Sequence, residues 1–187
     1  MIVVGVAGHR VLADVERIRK GIDRAIRRID QMHPGRALAV MSALAEGSDR
    51  LVADAILARA DSSLTAVIPI PTEDYVTDFA SAESIAEFER LLSRAGEVVV
   101  MQSRPTRDES YETAARYIVD HCDVLIAIWD GKNAQGRGGT AATIARARQL
   151  ELPIAWIKAG NRLPGTMDPT TLGAEQGSVV FENVWCA

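Results

Sequence analysis

Aromatic residues are scarce in this chain, at 5% of its composition, which leaves few rings on which the bases of a nucleic-acid single strand could stack. Basic charge is not in excess either. Lys and Arg number 21 against 25 Asp and Glu, a formal net charge of −4, so the electropositive surface that sequence-independent nucleic-acid binding requires is missing. Nucleic acid is therefore disfavoured as a partner. Cysteine is nearly absent: Cys122 and Cys186 stand far apart, with no C-x-x-C or Cys/His spacing, which removes disulfide-scaffold and zinc-ribbon readings. Cys122 precedes an apolar run and reads as a buried small residue rather than a catalytic thiol. His9, His33 and His121 are too scattered to suggest a metal site, and none is expected. No apolar run approaches the roughly 20 residues of a membrane span, and the opening stretch MIVVGVAGHR lacks a basic leader. The expectation is a cytoplasmic protein with no membrane partner.

What is present is an ordered alternation. With 48% hydrophobic and 25% charged residues over 187 positions, the chain has the composition of one globular domain with a sizeable core. IVVGVA (2–7) is apolar on both faces and reads as a buried strand. VERIRKGIDRAIRRI (15–29) follows with Val15, Ile18, Ile22, Ile26 and Ile29 at helical spacing, and HPG (33–35) stops it. ALAVMSALA (37–45) runs as a strand into its loop before the helix GSDRLVADAILARA (47–60), for which Ser48 or Asp49 is a plausible N-cap. SLTAVIPI (63–70) is a third strand, and PTEDYVTDFAS (71–81) is a loop long enough to serve as a lid. A helix over 82–96 leads to a strand over 97–101 and a polar linker over 102–109. Then come the helix 110–122, the strand DVLIAIW (123–129), the helix 138–151 and the strand PIAWIK (153–158). Strands apolar on both faces, alternating with amphipathic helices, predict an α/β fold: a doubly wound, mostly parallel Rossmann-like sheet with helices on both faces. The domain is expected to span 1–158, with 159–187 an irregular tail packed on it, in which only SVVFEN (178–183) reads as a strand.

Right-handed crossovers put the carboxyl ends of such strands on one edge, and open α/β sheets bind ligands there, where strand order reverses. The run WDGKNAQGRGGT (129–140) leaves a buried strand, turns glycine-rich and restarts a helix, as a chain does when a ligand must come close to its backbone. A helix start stabilises an anion through unpaired N–H groups and a partial positive charge. Gly138 and Gly139 carry no Cβ to obstruct it, Thr140 caps the helix or donates its hydroxyl, and Arg137 supplies charge. The run is not a P-loop, which needs Lys-Ser/Thr after its last glycine, and GVAGHR is not GxGxxG. Gly8, His9 and Arg10 close the first strand, with Arg10 read as an anion ligand. Ser42, Glu46, Gly47, Ser48 and Asp49 follow the second strand. Ser48 and Asp49 have capping as an alternative use, whereas Glu46 is the rim carboxylate that no cap explains. Asp130, beside Gly131, either caps its own turn or binds a ribose hydroxyl.

Taken jointly, GVAGHR, SALAEGSDRLVADA, IPIPTEDYVTDF, DVLIAIWDG and GRGGTA resemble the SLOG superfamily over about residues 1–158. This group of Rossmann-like domains includes the DNA-processing protein A core, the Lonely Guy phosphoribohydrolases, nucleotide-sensor domains of bacterial conflict systems and the cytosolic head of melastatin-type channels. The resemblance implies a site for a nucleotide or a derivative such as ADP-ribose, with phosphate on the glycine run, and a homodimer. It also bears on chemistry. Lonely Guy enzymes cleave the N-glycosidic bond of a nucleoside monophosphate and carry PGGxGTxxE; here Gly138-Gly139-Thr140 matches only part of that motif, and its Glu position falls on Thr143. Relatives nearer to this sequence place a Glu two after the Thr, where this chain has Ala142. The enzymes' Arg falls near Ala114, with Arg116 the nearest base. Cleavage through an oxocarbenium-like state needs a carboxylate beside the ribose, and the helix that should supply it has none before Glu151.

The leading expectation is binding of a nucleotide or nucleotide derivative at the carboxyl edge, as sensor or carrier, with no cofactor. The alternative is an N-glycosidase or phosphoribohydrolase acting on nucleoside monophosphates, with Glu46 as its catalytic carboxylate. DNA binding of the DNA-processing kind is a third class, which the acidic balance and scarce aromatics disfavour.

Overall fold

A computed structural model of the chain describes residues 1–132 and 139–183. Its strands are β1 (Ile2–Gly8), β2 (Leu38–Ser42), β3 (Ser63–Ile68), β4 (Glu97–Val100), β5 (Val124–Trp129), β6 (Ile154–Lys158) and β7 (Val179–Glu182). The helices are α1 (Val15–Met32), α2 (Ser48–Leu57), α3 (Thr72–Tyr75), α4 (Ala82–Leu92), α5 (Arg107–His121) and α6 (Thr140–Gln149). They build one seven-stranded sheet in the order β4-β3-β2-β1-β5-β6-β7. All neighbouring strands are parallel except β6 and β7, which pair antiparallel with Ile157 opposite Val179. This is the predicted doubly wound, Rossmann-like α/β fold.

The two central strands are the two with the purest apolar runs. β1 pairs with β2 on one side and β5 on the other, and every residue of β5 is buried. Such strands must be covered on both faces, because neither face carries enough polar surface to meet water. α1, α2 and α4 cover one face: Ile18, Ile22, Ile26 and Ile29 of α1, Val52 and Ile56 of α2, and Phe88 and Leu91 of α4 join one large core cluster. α5 and α6 cover the other through Ala114, Ile118, Val119, Ile144 and Ala147. In α1 the isoleucines recur every three or four residues while Arg19, Lys20, Arg24 and Arg27 face water, the amphipathic arrangement that makes packing rather than propensity hold a helix.

Strand order reverses between β1 and β5. α5 leaves the edge strand β4, crosses back over the sheet and feeds β5 on the far side of β1. The loops after β1 and β5 therefore diverge and open a crevice at their carboxyl ends.

Two stretches read as loop are structured. Segment 71–81 contains α3 and a 3-10 turn, Val76–Asp78, and its Tyr75 and Phe79 are 1% and 8% exposed. The two rings stack edge-on at 5.0 Å and pack with Phe88. Aromatic burial thus anchors the expected lid to the core. The linker before α5 ends at Thr106, three residues earlier than predicted, because Thr106 and Glu109 form a reciprocal capping box.

The tail adds a strand rather than only irregular chain. Gln176, 4% exposed, donates from Nε2 to Ala13 O at 2.8 Å and accepts at Oε1 from Gly160 N and Leu172 N. One satisfied buried amide thus ties the segment before β7 to the β1–α1 loop and to the exit of β6. Among the described residues no helix is long and apolar enough to cross a membrane.

Candidate functional site

An open cleft lies at the carboxyl ends of β1, β2 and β3, between α5 and the start of α6. Small side chains make the hollow: Ala7 and Gly8 from β1, Ala43 and Ala45 from the β2–α2 loop, and Ala114 and Ala115 from α5. Polar groups meet that apolar lining. Arg10 enters from the β1 loop, Asp49 from the first turn of α2, Tyr75 from α3, and Thr140 from α6. An apolar lining with a few convergent polar groups is what a small-molecule site has.

α6 opens onto this cleft. Its N-cap is Gly139, at φ 94°, no side chain among the described residues caps it, and its first turn carries no acid. Thr140 lines the cleft as the first helical residue. Thr143, on the next turn, also lines it, but its hydroxyl donates back to Gly139 O at 3.1 Å. Arg146 and Arg148 occupy the last turn, so the helix charges complement its dipole and leave the amino end positive. Arg10 has no ion pair among the described residues; its guanidinium lies 5.7 Å from the centre of the Tyr111 ring, which also borders the cleft.

Asp49 is the carboxylate of the site. It is 7% exposed, and its Oδ2 accepts from Ser42 Oγ at 2.9 Å and Ala45 N at 3.3 Å. Burial pushes its pKa up from 3.8 to about 6, against the pull of those hydrogen bonds and of Arg10 and Arg50. Beside it, burial first and the Asp49 charge second push the Tyr75 phenol above its ordinary pKa, so it remains a proton donor. Neither Asp49 Oδ1 nor the Tyr75 hydroxyl is hydrogen-bonded to any described residue. Both belong to side chains that line the cleft.

Ser48-Asp49-Arg50 offers three polar residues to a helix start that can use one as a cap, and the structure uses none. The N-cap is Gly47, without a side-chain cap bond. Ser48 is fully buried and its Oγ donates to His9 O at 2.8 Å. Arg50, 2% exposed, donates to Leu44 O, Ser84 and Glu87 and lies 4.6 Å from the Phe79 ring centre. The capping expectation for Ser48 and Asp49 is thereby corrected. The chain turns into α2 through Gly47 at φ 75°, against the backbone of His9 and Arg10, where a Cβ would collide. The loop's polar side chains are thus spent on tying β1, β2 and α4 together.

Of the residues expected at the rim, the cleft gathers Gly8, Arg10, Gly139 and Thr140. Ser42 is fully buried and positions Asp49. Glu46 faces elsewhere: its Oε1 accepts from Ala80 N and Ser84 Oγ, closing the start of α4. It is therefore a structural acceptor, and the carboxylate that lines the cleft is Asp49. His9 Nε2 accepts from Asp130 N at 3.1 Å and lies 3.3 Å from Asp130 Oδ1. Burial pushes the His9 pKa below its ordinary 6.5, with Asp130 opposing. Asp130 Oδ1 accepts from Lys132 N at 3.1 Å, which is a turn cap. Gly131, at φ 80°, backs onto Trp156. Arg137 and Gly138 lie outside the described residues. Cys122 is buried and its thiol is pushed up to about 12, which leaves it inert as a nucleophile. Among the described residues no three His, Cys, Asp or Glu side chains are placed to hold a metal ion.

No protein-family model matches the chain, and no curated protein matches it. A solved structure that matches is the X-ray structure of TM1055, a structural genomics target, at TM-score 0.49 and 16% identity, covering 82% of this chain and 72% of that one.

Proposed function

We propose that the cleft binds a nucleotide or nucleotide derivative, in the manner of the SLOG superfamily that the sequence resembles, and that the protein serves as a sensor or carrier of that ligand. The observation that carries this reading is one juxtaposition. Among the described residues, an arginine without an ion pair and a helix start that no side chain caps, with no acid in its first turn, border the same apolar hollow. A phosphate meets both the N–H groups of α6 and the Arg10 guanidinium there. The alanine surfaces of α5 and of the β2–α2 loop offer an apolar wall for a base.

Purified protein titrated calorimetrically with AMP and ADP-ribose tests the reading, and mass spectrometry of small molecules it retains identifies a native ligand. Saturable binding that weakens in Arg10→Gln supports it. No binding at millimolar concentration of either compound removes it. The resemblance also suggests a homodimer, which light scattering at micromolar concentration checks.

A second reading, hydrolysis of the N-glycosidic bond of a nucleoside monophosphate, has one observation in its favour. Asp49 is a carboxylate held in the cleft with its pKa raised to about 6, the range in which a carboxyl can act as a general acid. Against it stands α6, which offers Ala142 and Thr143 where the related enzymes present Glu.

A further inference from the structure

We infer that Asp49 and Tyr75 form a recognition pair for the vicinal hydroxyls of the ligand's ribose, so that the cleft distinguishes ribonucleotides from their deoxy analogues. This rests on the nucleotide reading above and adds to it the part of the ligand that the floor of the cleft contacts.

The pair is complementary to a diol. Asp49 Oδ2 is already occupied by Ser42 Oγ and Ala45 N, which leaves Oδ1 an acceptor in need of a donor. The Tyr75 hydroxyl can donate and accept. A vicinal diol supplies what both lack: one hydroxyl donates to the carboxylate and its neighbour pairs with the phenol. Among the described residues the buried side-chain polar atom without a partner is Arg50 Nη2, so Asp49 Oδ1 and the Tyr75 hydroxyl keep access to the cleft, and a ligand that covers them without pairing them leaves them unsatisfied at a cost. A ligand that satisfies both is therefore favoured over one that satisfies neither.

The geometry is fixed before the ligand arrives. Tyr75 is wedged among Phe79, Phe88 and Tyr111, with ring centres 5.0, 5.7 and 6.0 Å away. Ser42 and Ala45 hold one carboxylate oxygen. Neither side chain has to be ordered by binding, so little of the interaction is lost to entropy. Neither of the other carboxylates considered, Glu46 and Asp130, lines the cleft; Glu46 accepts from Ala80 N and Ser84, and Asp130 Oδ1 from Lys132 N. With phosphate at the α6 start and the diol on the floor, a nucleotide has a defined direction across the cleft.

The experiment compares AMP, 2′-deoxy-AMP, 3′-deoxy-AMP and IMP by calorimetry at pH 8 on wild type, Asp49→Asn and Tyr75→Phe, with a melting curve for each variant. At least one deoxy analogue is expected to bind wild type roughly 10- to 100-fold more weakly than AMP. That gap is expected to shrink to within about threefold in Asp49→Asn, and Tyr75→Phe, which removes one oxygen, narrows it independently. Equal binding of AMP and both deoxy analogues overturns the inference while leaving the nucleotide reading intact. So does a loss of affinity on going from AMP to IMP that disappears in Asp49→Asn, which would assign the carboxylate to a base amine. Failure of both AMP and ADP-ribose to bind wild type removes the nucleotide reading and this inference with it.

Discussion

Ser42 Oγ donates to Asp49 Oδ2 at 2.9 Å, and both residues are buried. One side chain, whose own hydroxyl also accepts from Leu44 N at 3.0 Å, thereby decides which carboxylate oxygen is spent on the fold and which is left over. The leftover oxygen belongs to a residue that lines the cleft. A protein keeps a buried, incompletely satisfied acid at a cost in stability, and such costs concentrate where function needs them.

That cost is measurable. Asp49 has a folded-state pKa raised from 3.8 to about 6, so the folded protein holds this proton more tightly than the unfolded chain. Its contribution to stability is fully present below about 3.8 and is lost as pH rises through about 6. Above that, burial of the charge costs on the order of 3 kcal/mol. Asp49→Asn keeps an oxygen that accepts from Ser42 and Ala45 and carries no charge. Denaturant unfolding should find the variant more stable than wild type at pH 8, by up to about 3 kcal/mol, with the difference closing towards pH 4. Equal stability at pH 8 would show that the carboxylate is not desolvated.

His9 shifts in the opposite sense. Its imidazole accepts a hydrogen bond from Asp130 N, and burial lowers its pKa from 6.5. It therefore contributes stability that is present above pH 6.5 and is lost as pH falls through its depressed folded value. A histidine-resolved NMR titration should place the His9 midpoint below 6.5. His9→Gln, which retains an acceptor, should remove this acid-side loss at neutral-pH stability within about 2 kcal/mol of wild type. A His9 midpoint at or above 6.5 would contradict the assignment of Nε2 as a buried acceptor.

How much of this could be read from the sequence follows from which forces are local. Periodicity marks β1, β5 and α1 because burial on two faces or one stripe is written in consecutive residues. The crevice followed from alternation and crossover handedness. Tyr75 and Phe79 were hidden because a short segment with one aromatic every four residues looks like a loop until Phe88, on another element, covers it. The roles of Glu46 and Asp49 were exchanged for the same reason. Each faces partners fixed by tertiary structure, Ser84 in one case and Ser42 in the other. A signal was available: three consecutive polar residues at a helix start exceed what capping can use.

Gly139 is the N-cap of α6, where phosphate is proposed to bind. It sits at φ 94° with open space around its Cα, so a side chain there meets no neighbour but forces the turn out of its left-handed conformation. Gly139→Val is expected to weaken AMP binding by at least about tenfold while the melting temperature changes by only a few degrees. Unchanged affinity in the folded variant would remove phosphate from the start of α6.

Arg10 is exposed, has no ion pair among the described residues and borders the cleft. Arg10→Gln should leave unfolding free energy within about 0.5 kcal/mol of wild type and lower affinity for phosphorylated ligands by roughly 10-fold or more. Affinity for adenosine, which has no phosphate, should change little. An equal loss for adenosine and AMP would mean that Arg10 shapes the cleft rather than meeting an anion.

Catalysis is the sharpest division between the two readings of the site. Holding a nucleotide requires donors and shape; cleaving its glycosidic bond requires in addition a carboxylate placed to act on water or to stabilise the developing cation. α6 presents Ala142 and Thr143 where the enzymes of the superfamily that the sequence resembles carry Glu, and Thr143 spends its hydroxyl on Gly139 O. On α5, Ala114 lines the cleft where the enzymes' arginine would stand, and Arg116 pairs with Glu112 at 3.5 Å. Base release from AMP, followed chromatographically over hours, is therefore expected to stay at the uncatalysed background. Two controls decide between carboxylates if it does not. Release that survives Glu46→Gln and disappears in Asp49→Asn would make the protein an N-glycosidase with its acid on α2, since Glu46 is held by Ala80 N and Ser84. Release lost in Glu46→Gln alone would require that carboxylate to leave the start of α4 and reach the cleft. Saturable AMP binding without release in any of the three proteins is the outcome that a sensor or carrier requires.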